Sequence, residues 1–243
     1  MRSEERLLKT IQDALARTAS RRSTLRGAAV AGGVALASGI SLRSAAAQDG
    51  TPVVDDEGTP VVGGESPFEN EVDVLNYALT LELLENAFYR DSLATFGDQD
   101  FINGGFQVDV RNYIAEIGAH EAAHVETLTS VITDLGGTPV EEATYDYGYD
   151  DFAGFLATAA VLENTGVSAY EGAAQYLIDN DDLLTAALTI HGVEARHAAY
   201  LNILNGEDPF PEAFDPPLTP DEVLEAAGPF FAEGDGAEAT PEA

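Results

Sequence analysis

Two short stretches of the chain place a carboxylate and an imidazole at one spacing: Glu121-Ala-Ala-His124 and Glu194-Ala-Arg-His197. On a helix, residues i and i+3 share a face, so each stretch presents one Glu and one His to the same region of space. Upstream of each lies a Glu followed seven residues later by a Tyr: Glu82 with Tyr89, and Glu163 with Tyr170. Glu82 sits among Ala78-Leu79-Thr80-Leu81 and Leu83-Leu84, and Glu163 follows Ala159-Ala160-Val161-Leu162. A lone carboxylate on such a face costs several kcal/mol or stays protonated, and a divalent ion removes that cost. A carboxylate-rich di-metal site in a helical bundle takes one Glu from each of two helices and Glu-x-x-His from each of two others. Glu82, Glu121, His124, Glu163, Glu194 and His197 supply that set. The pattern predicts two metal ions, iron or manganese, since carboxylate and imidazole ligands suit both.

Several nearby residues have more than one use. His120 and His191 each lie one turn before a ligand stretch, where they suit contacts to the ligands or ordinary surface and core positions. Tyr89 and Tyr170 could bond a ligand carboxylate or carry an oxidising equivalent, but core packing is the plainer use of a tyrosine on an apolar face. Glu85 is one turn from Glu82 and could replace it, but only Glu82 repeats the offset to Tyr found at Glu163. Glu116 and Glu126 read as solvated. His120-Glu121-Ala122-Ala123-His124 also matches the H-E-x-x-H pattern of zinc metalloproteases, in which both His bind zinc and the Glu is the base. A third ligand would then come from Glu141 or Glu142. That reading leaves the second Glu-x-x-His stretch without a role.

The elements that must position these residues are helices. Ser66-Pro67 reads as a helix start, with the helical pattern continuing to about Phe96 until Gly97 and Asn103-Gly104-Gly105 break it. A second helix is expected from about Val108 to Leu135, ended by Gly136-Gly137. A loop rich in Tyr, Asp and Gly leads to a third from about Asp151 to Ile178, and Asn180 or a neighbouring Asp caps a fourth, which stops at Asn205-Gly206. No stretch alternates with a period of two, so the expected class is all-α. Helices of similar length, a short third link and a longer second link argue a four-helix bundle with one crossover connection over residues 66–205. The halves share a weak internal repeat in which Leu-Glu with the later Tyr, and Ile, Glu and His, keep their offsets. In the tail, residues 206–243, Thr219-Pro220-Asp221-Glu222 reads as a cap, a Pro at the first turn and a capping-box Glu, starting a short helix to Ala227.

Composition bounds the rest. The chain has 243 residues and no Cys, which excludes disulfides and thiolate ligands. It carries 43 acidic residues against 11 Lys and Arg, for a formal charge of −32. Most of those bases fall in residues 1–47; beyond them only Arg90, Arg111 and Arg196 remain. Such a surface repels nucleic acid and anionic lipid. It also predicts a fold that needs salt to screen its self-repulsion, as in proteins of saline habitats, although acidity alone also serves solubility. Residues 1–47 combine Ser20-Arg21-Arg22-Ser23-Thr24-Leu25-Arg26, an apolar Gly/Ala-rich run to Leu42, and Ala45-Ala46-Ala47. The first motif resembles a twin-arginine export signal, and the whole reads as a signal peptide with a cleavage site. The expected location is therefore extracellular, periplasmic or at the cell surface, with no stable membrane span after cleavage. Residues 48–65, with their repeated Gly-Thr-Pro-Val-Val, read as a disordered linker.

On the six residues above, residues 66–205 resemble the ferritin-like superfamily. Within it they are similar to exported ferritin-like domain proteins related to desiccation-associated proteins, a subgroup that the tail Phe214-Asp-Pro-Pro-Leu-Thr-Pro-Asp-Glu-Val-Leu also resembles. The resemblance implies the ferritin-like fold and di-metal binding at those six positions. It does not by itself imply one activity, because the fold hosts iron oxidisers, peroxide-reducing proteins, manganese catalases and others. The expected partners are a small-molecule oxidant or a metal ion, in a setting of stress protection, and a homo-oligomer is compatible. The alternative is a non-catalytic protein of the same fold serving desiccation or the cell surface.

Overall fold

The computed structural model describes residues 66–232. The expected signal peptide, the linker and the end of the tail lie outside the described residues.

Six α-helices are present among the described residues: α1 (Glu71–Thr95), α2 (Asp98–Asn103), α3 (Val108–Asp134), α4 (Phe152–Ala174), α5 (Asp181–Asn205) and α6 (Pro220–Ala227). Single 3-10 turns cover Gln175–Leu177 and Gly228–Phe230. Caps explain most of the boundaries. Asn70, not Ser66, starts α1: its side chain accepts from Val72 and Asp73 N–H, and Asp73 closes a capping box. The Ser66 hydroxyl is instead used in a local turn with Phe68, so the expected start at Ser66-Pro67 is corrected by a turn. Asp151 caps α4 through Gly154 N–H, and Asn180 caps α5 through Leu183 N–H. Gly206, with φ of 78°, ends α5 in the left-handed region that favours glycine. Thr219, Pro220 and Glu222 form the expected capping box of α6. Helix α2 is an addition to the sequence reading. Its acids Asp98 and Asp100 fall in the first turn, and Phe101 anchors it in the core.

The four long helices form two antiparallel pairs. In the first, Glu82 of α1 bonds His124 of α3, and Arg111 at the start of α3 reaches the Leu93 and Phe96 carbonyls at the end of α1. In the second, Asn164 of α4 bonds Asn202 of α5, while Asn205 at the end of α5 bonds the Leu156 carbonyl near the start of α4. The link from α3 to α4 is the expected crossover, and it runs the length of α1. Asn76 bonds Thr138 and Val140, Arg90 pairs with Glu142, and Ser92 bonds Tyr149. Tyr147 and Tyr149 then lay their rings against Phe88. This cover explains why α1 is buried on nearly all sides.

The tail docks on α4 and on the crossover. Leu218 N–H donates to the Ser168 carbonyl, and Val223 and Ala227 are buried. Asp146 and Ala232 exchange backbone hydrogen bonds with Phe230 and Thr144 around an isolated bridge from Tyr145 to Phe231. That bridge is the nearest approach to β-structure among the described residues, as the all-α expectation requires.

The apolar core falls into two clusters. One is built on Leu75, Leu79, Leu128, Ile132 and Leu183; the other on Phe88, Phe101, Ile114, Phe155 and Leu201. Fully burying side chains of this kind stabilises by about 1.5–3 kcal/mol each. The polar residues of interest lie between the two clusters.

Candidate metal centre

Each long helix contributes one carboxylate to the middle of the bundle, and α3 and α5 add one imidazole each. Glu82, Glu121, Glu163 and Glu194 are all 0% exposed, His124 is 9% and His197 is 5%. Their ligand atoms form two groups, in each of which the atoms lie within 4.8 Å of one another: Glu82, Glu121, His124 and Glu194 in one, Glu121, Glu163, Glu194 and His197 in the other. Glu121 and Glu194 belong to both. The structure thus brings all six sequence-predicted residues together, with a shared pair in the centre and one Glu and one His on each side.

The imidazoles face this cluster through Nδ1. His124 Nδ1 lies 3.1 Å from Glu82 and Glu121 and 3.2 Å from Glu194. His197 Nδ1 lies 3.1 Å from Glu121 and Glu163. One Nδ1 cannot serve three carboxylates as a single hydrogen-bond donor. Glu121 Oε1 and both Glu194 oxygens are buried with no hydrogen-bond partner, although imidazole nitrogens are close. These oxygens lie among the other ligand atoms, close to the imidazole nitrogens but without a hydrogen bond to them.

Both tyrosines bond the site, and they do so across the halves. Tyr89 of α1 donates to Glu163 Oε1 of α4 at 2.6 Å, and Tyr170 of α4 donates to Glu82 Oε1 of α1 at 2.5 Å. Packing alone, the plainer expectation, does not describe them. Gly118 makes this possible for Tyr89: a Cβ there would stand 2.8 Å from Tyr89 Cβ, so α3 could not approach α1 so closely.

The charge balance follows from burial and proximity. Burial lifts the Glu82 carboxyl to about 7 against the pull of His124 and Tyr170. Burial, then repulsion from the other carboxylates, lifts Glu85 and Glu194 well above the usual range. At Glu121 burial also raises, but the close imidazoles of His124 and His197 outweigh it and hold the carboxyl well below its usual range. Burial disfavours both imidazolium ions, yet the carboxylates win: His124 is raised well above its ordinary value, and His197 to about 11. Burial and then the Glu163 and Glu82 charges keep the Tyr89 and Tyr170 phenols protonated and donating.

His120 and His191 separate. His120 Nδ1 lies 2.9 Å from His197 Nε2 with the rings stacked, so it touches a ligand candidate on the side away from the carboxylates. With Tyr113, Glu116, Ile117, Arg196, His197 and Tyr200 it lines a surface cavity of about 290 Å³. His191 lies away from the centre, beside Glu171 and Asp215. The H-E-x-x-H reading fails on geometry. His124 faces the bundle centre, His120 faces His197, Glu121 is shared between both groups, and Glu142 is held by Arg90 at 3.0 Å. Glu116 and Glu126 are exposed, as expected. Glu85, set aside in the sequence, is buried next to the cluster at 3% exposure. Its signal was its position, one turn from Glu82 on a face that is apolar elsewhere.

No helix among the described residues is long and apolar enough to cross a membrane. A family model for a ferritin-like domain matches residues 70–207. The chain is also similar to Protein rds1 of Schizosaccharomyces pombe, with 28% identity over 152 residues that cover 61% of this chain and 36% of that protein. The chain therefore spans well under half the length of this relative. With its two antiparallel helix pairs, its crossover along α1 and a family match that extends over the whole bundle, the chain belongs to the ferritin-like domain family.

Proposed function

We propose that the chain is a di-metal carboxylate protein acting on peroxide, dioxygen or ferrous iron. The observation that carries this reading is the pair of overlapping ligand groups sharing Glu121 and Glu194. Glu82 and His124 would hold one ion, Glu163 and His197 the other, and the two shared carboxylates would lie between them. The donor set fits: four carboxylates balance two divalent charges, the imidazoles supply borderline nitrogen donors, and no thiolate is present to favour softer metals. The buried, unpartnered oxygens of Glu121 and Glu194 are what a cation would satisfy. When bound, such a pair supplies one-electron chemistry at each ion.

The protein's own groups do the rest. Tyr89 and Tyr170 orient Glu163 and Glu82 through their hydroxyls, fixing which oxygen turns inward. His120 fixes the ring plane of His197 by contacting Nε2, as the partner of a ligating imidazole does. The cavity beside His120 and His197 gives a small molecule a way toward the centre, between Tyr113, Tyr200 and Arg196. The two apolar clusters on either side keep the remaining directions dry. The N-terminal pattern supports export by the twin-arginine route, which would place this chemistry outside the cytoplasm, in a stress-protective setting.

Metal analysis of the purified protein with a peroxide-turnover assay tests the reading. Two equivalents of iron or manganese with turnover are expected. Metal without turnover would instead mean a non-catalytic member of the fold, and one zinc with peptide cleavage would overturn the proposal outright.

A further inference from the structure

Glu85 has no part in the six-residue set, yet it is 3% exposed and lies one turn beyond Glu82 on the same face of α1. The internal repeat makes its position informative. Where α1 has Glu82 and then Glu85 three residues on, α4 has Glu163 and then Gly166. The two positions meet: a Cβ built on Gly166 would stand 3.1 Å from Glu85 Oε1 and 3.5 Å from Glu194 Oε2. One half of the bundle thus supplies an extra carboxylate, and the other supplies the space it occupies.

Glycine inside a helix weakens it relative to alanine, so Gly166 needs a reason, and room for Glu85 is one. Burying a carboxyl without a partner is costly. Among the described residues no hydrogen bond or ion pair reaches the Glu85 side chain, and the adjacent Glu194 oxygens are also unpartnered. A leucine or alanine at this position would suit a purely structural core better. Glu85 belongs to neither four-residue ligand group, so its carboxyl stands at the edge of the site, on the side of Gly166 where Glu194 Oε2 also lies.

Resting on the di-metal reading above, we infer that Glu85 is a seventh ligand, entering beside Glu194 and making the two ion positions inequivalent. The set becomes five carboxylates and two imidazoles. Its full negative charge then matches one divalent and one trivalent ion, whereas the six-residue set matches two divalent ions.

The test uses the metal-depleted full chain titrated with Mn(II) by calorimetry and with Co(II) by visible absorption. The wild type should bind two ions with distinguishable affinities. Glu85→Gln keeps the size and removes the charge. It should weaken one of the two sites by roughly tenfold or more and alter the Co(II) bands, whose intensity reports coordination number. Gly166→Ala leaves every carboxylate in the sequence and improves helix propensity, but its methyl group crowds Glu85 Oε1. It should weaken the same site without lowering the melting temperature of the metal-free protein. A wild type binding two ions, with Glu85→Gln unchanged in both affinities and in its Co(II) spectrum, would overturn the role of Glu85 alone. Failure of the wild type to bind two ions would instead overturn the di-metal reading, and this inference with it. Should Glu85→Gln not fold, unchanged binding by Gly166→Ala overturns the inference by itself.

Discussion

The metal-free protein should be most stable at mildly acidic pH and lose stability as the pH rises toward 8. Glu82 fixes the scale. Its carboxyl goes from 4.5 in an unstructured chain to about 7 in the fold. A folded value raised above the unfolded one gives stability that is full below 4.5 and lost as the pH rises through 7. At ~1.4 kcal/mol per unit, the loss from Glu82 alone is about 3 kcal/mol. For a domain of this size that corresponds to roughly 6–12 °C in melting temperature. Glu85 and Glu194 are raised as well and act in the same direction. His197, raised from 6.5 to about 11, extends the loss: its contribution is full below 6.5 and fades toward 11. Glu121 opposes them only on the acid side. Its folded value is lowered, so its contribution is present above 4.5 and lost below it. Together these put the optimum near pH 4.5–5, on the acid side of the common range. Metal should reverse the slope, because ligation needs deprotonated carboxylates and imidazoles, so Mn(II) should raise the melting temperature far more at pH 8 than at pH 5. The assay is a set of thermal melts by circular dichroism on chelator-treated protein, from pH 4 to 9 at fixed salt, with and without Mn(II). Repulsion among surface acids also grows with pH, so Glu82→Gln is the necessary control and should remove about 3 kcal/mol of the fall. A melting temperature that is flat or rising between pH 5 and 8, or a Glu82→Gln protein with the wild-type slope, would refute the reasoning.

Four further outcomes are expected. Tyr170→Phe removes the hydroxyl bonded to Glu82, which above about pH 7 is a hydrogen bond to a charged group worth about 1.5–3 kcal/mol, and chemical denaturation of the metal-free protein on the alkaline side of that value should show a loss of that order. His197→Ala should abolish binding of one ion, whereas His120→Ala should weaken it only about 10–100-fold, as read by metal titration. In Gly172→Ala the new Cβ would run into the Leu218 carbonyl, a backbone clash that no rotamer relieves. The tail should lift from α4, seen as faster limited proteolysis between residues 206 and 218 with the bundle left intact. With 43 acids against 11 bases, the melting temperature should climb from millimolar to molar NaCl as repulsion is screened; a flat curve would leave the acidity with no role in salt dependence.

Much of this molecule was legible in the chain because its signals are local. Helix periodicity, caps such as Thr219-Pro220-Asp221-Glu222, and the glycines that end α3 and α5 act over a few residues, and they placed four helices to within a few positions of those found. The paired Glu-x-x-His stretches were legible for the same reason. The start of α1 is ambiguous in the sequence because Ser66 and Asn70 are both good caps with an acid three residues on, Glu69 and Asp73, and only the second pair closes a capping box in the fold. Helix α2 was hidden by the glycines flanking it, Gly97 and Gly104, which read as a break when six residues between them suffice for a short helix held by Phe101. The tyrosine contacts, one of the two uses the sequence leaves open, are not decided locally because they are long-range. Seven residues of helix span ~10.5 Å along the axis, so Tyr89 cannot reach Glu82 on its own helix. In an antiparallel pair the same offset brings it to Glu163 of the other half, and Tyr170 to Glu82. The repeated offset already held that information, but using it required knowing that α1 and α4 run in opposite directions.

The energetics of the centre argue that it was not retained for folding. Replacing buried ionic groups by apolar residues of similar volume is often neutral or stabilising, by about 1–4 kcal/mol. Here five buried carboxylates lie between two apolar clusters that would merge if leucines took their place. Two imidazoles and two phenols offset part of the cost, but among the described residues they leave Glu121 Oε1 and both Glu194 oxygens without hydrogen bonds. A cluster selected to stabilise the bundle through polar contacts would be satisfied within itself, as the Asn164–Asn202 pair is on the same two helices. This one is satisfied on its outer side, by Tyr89, Tyr170 and His120, and only in part on its inner side, where the imidazoles reach Glu82, Glu121 Oε2 and Glu163 but leave Glu121 Oε1 and Glu194 over. That inward deficit, at the point where both ligand groups share Glu121 and Glu194, is what separates a binding centre from a structural polar network.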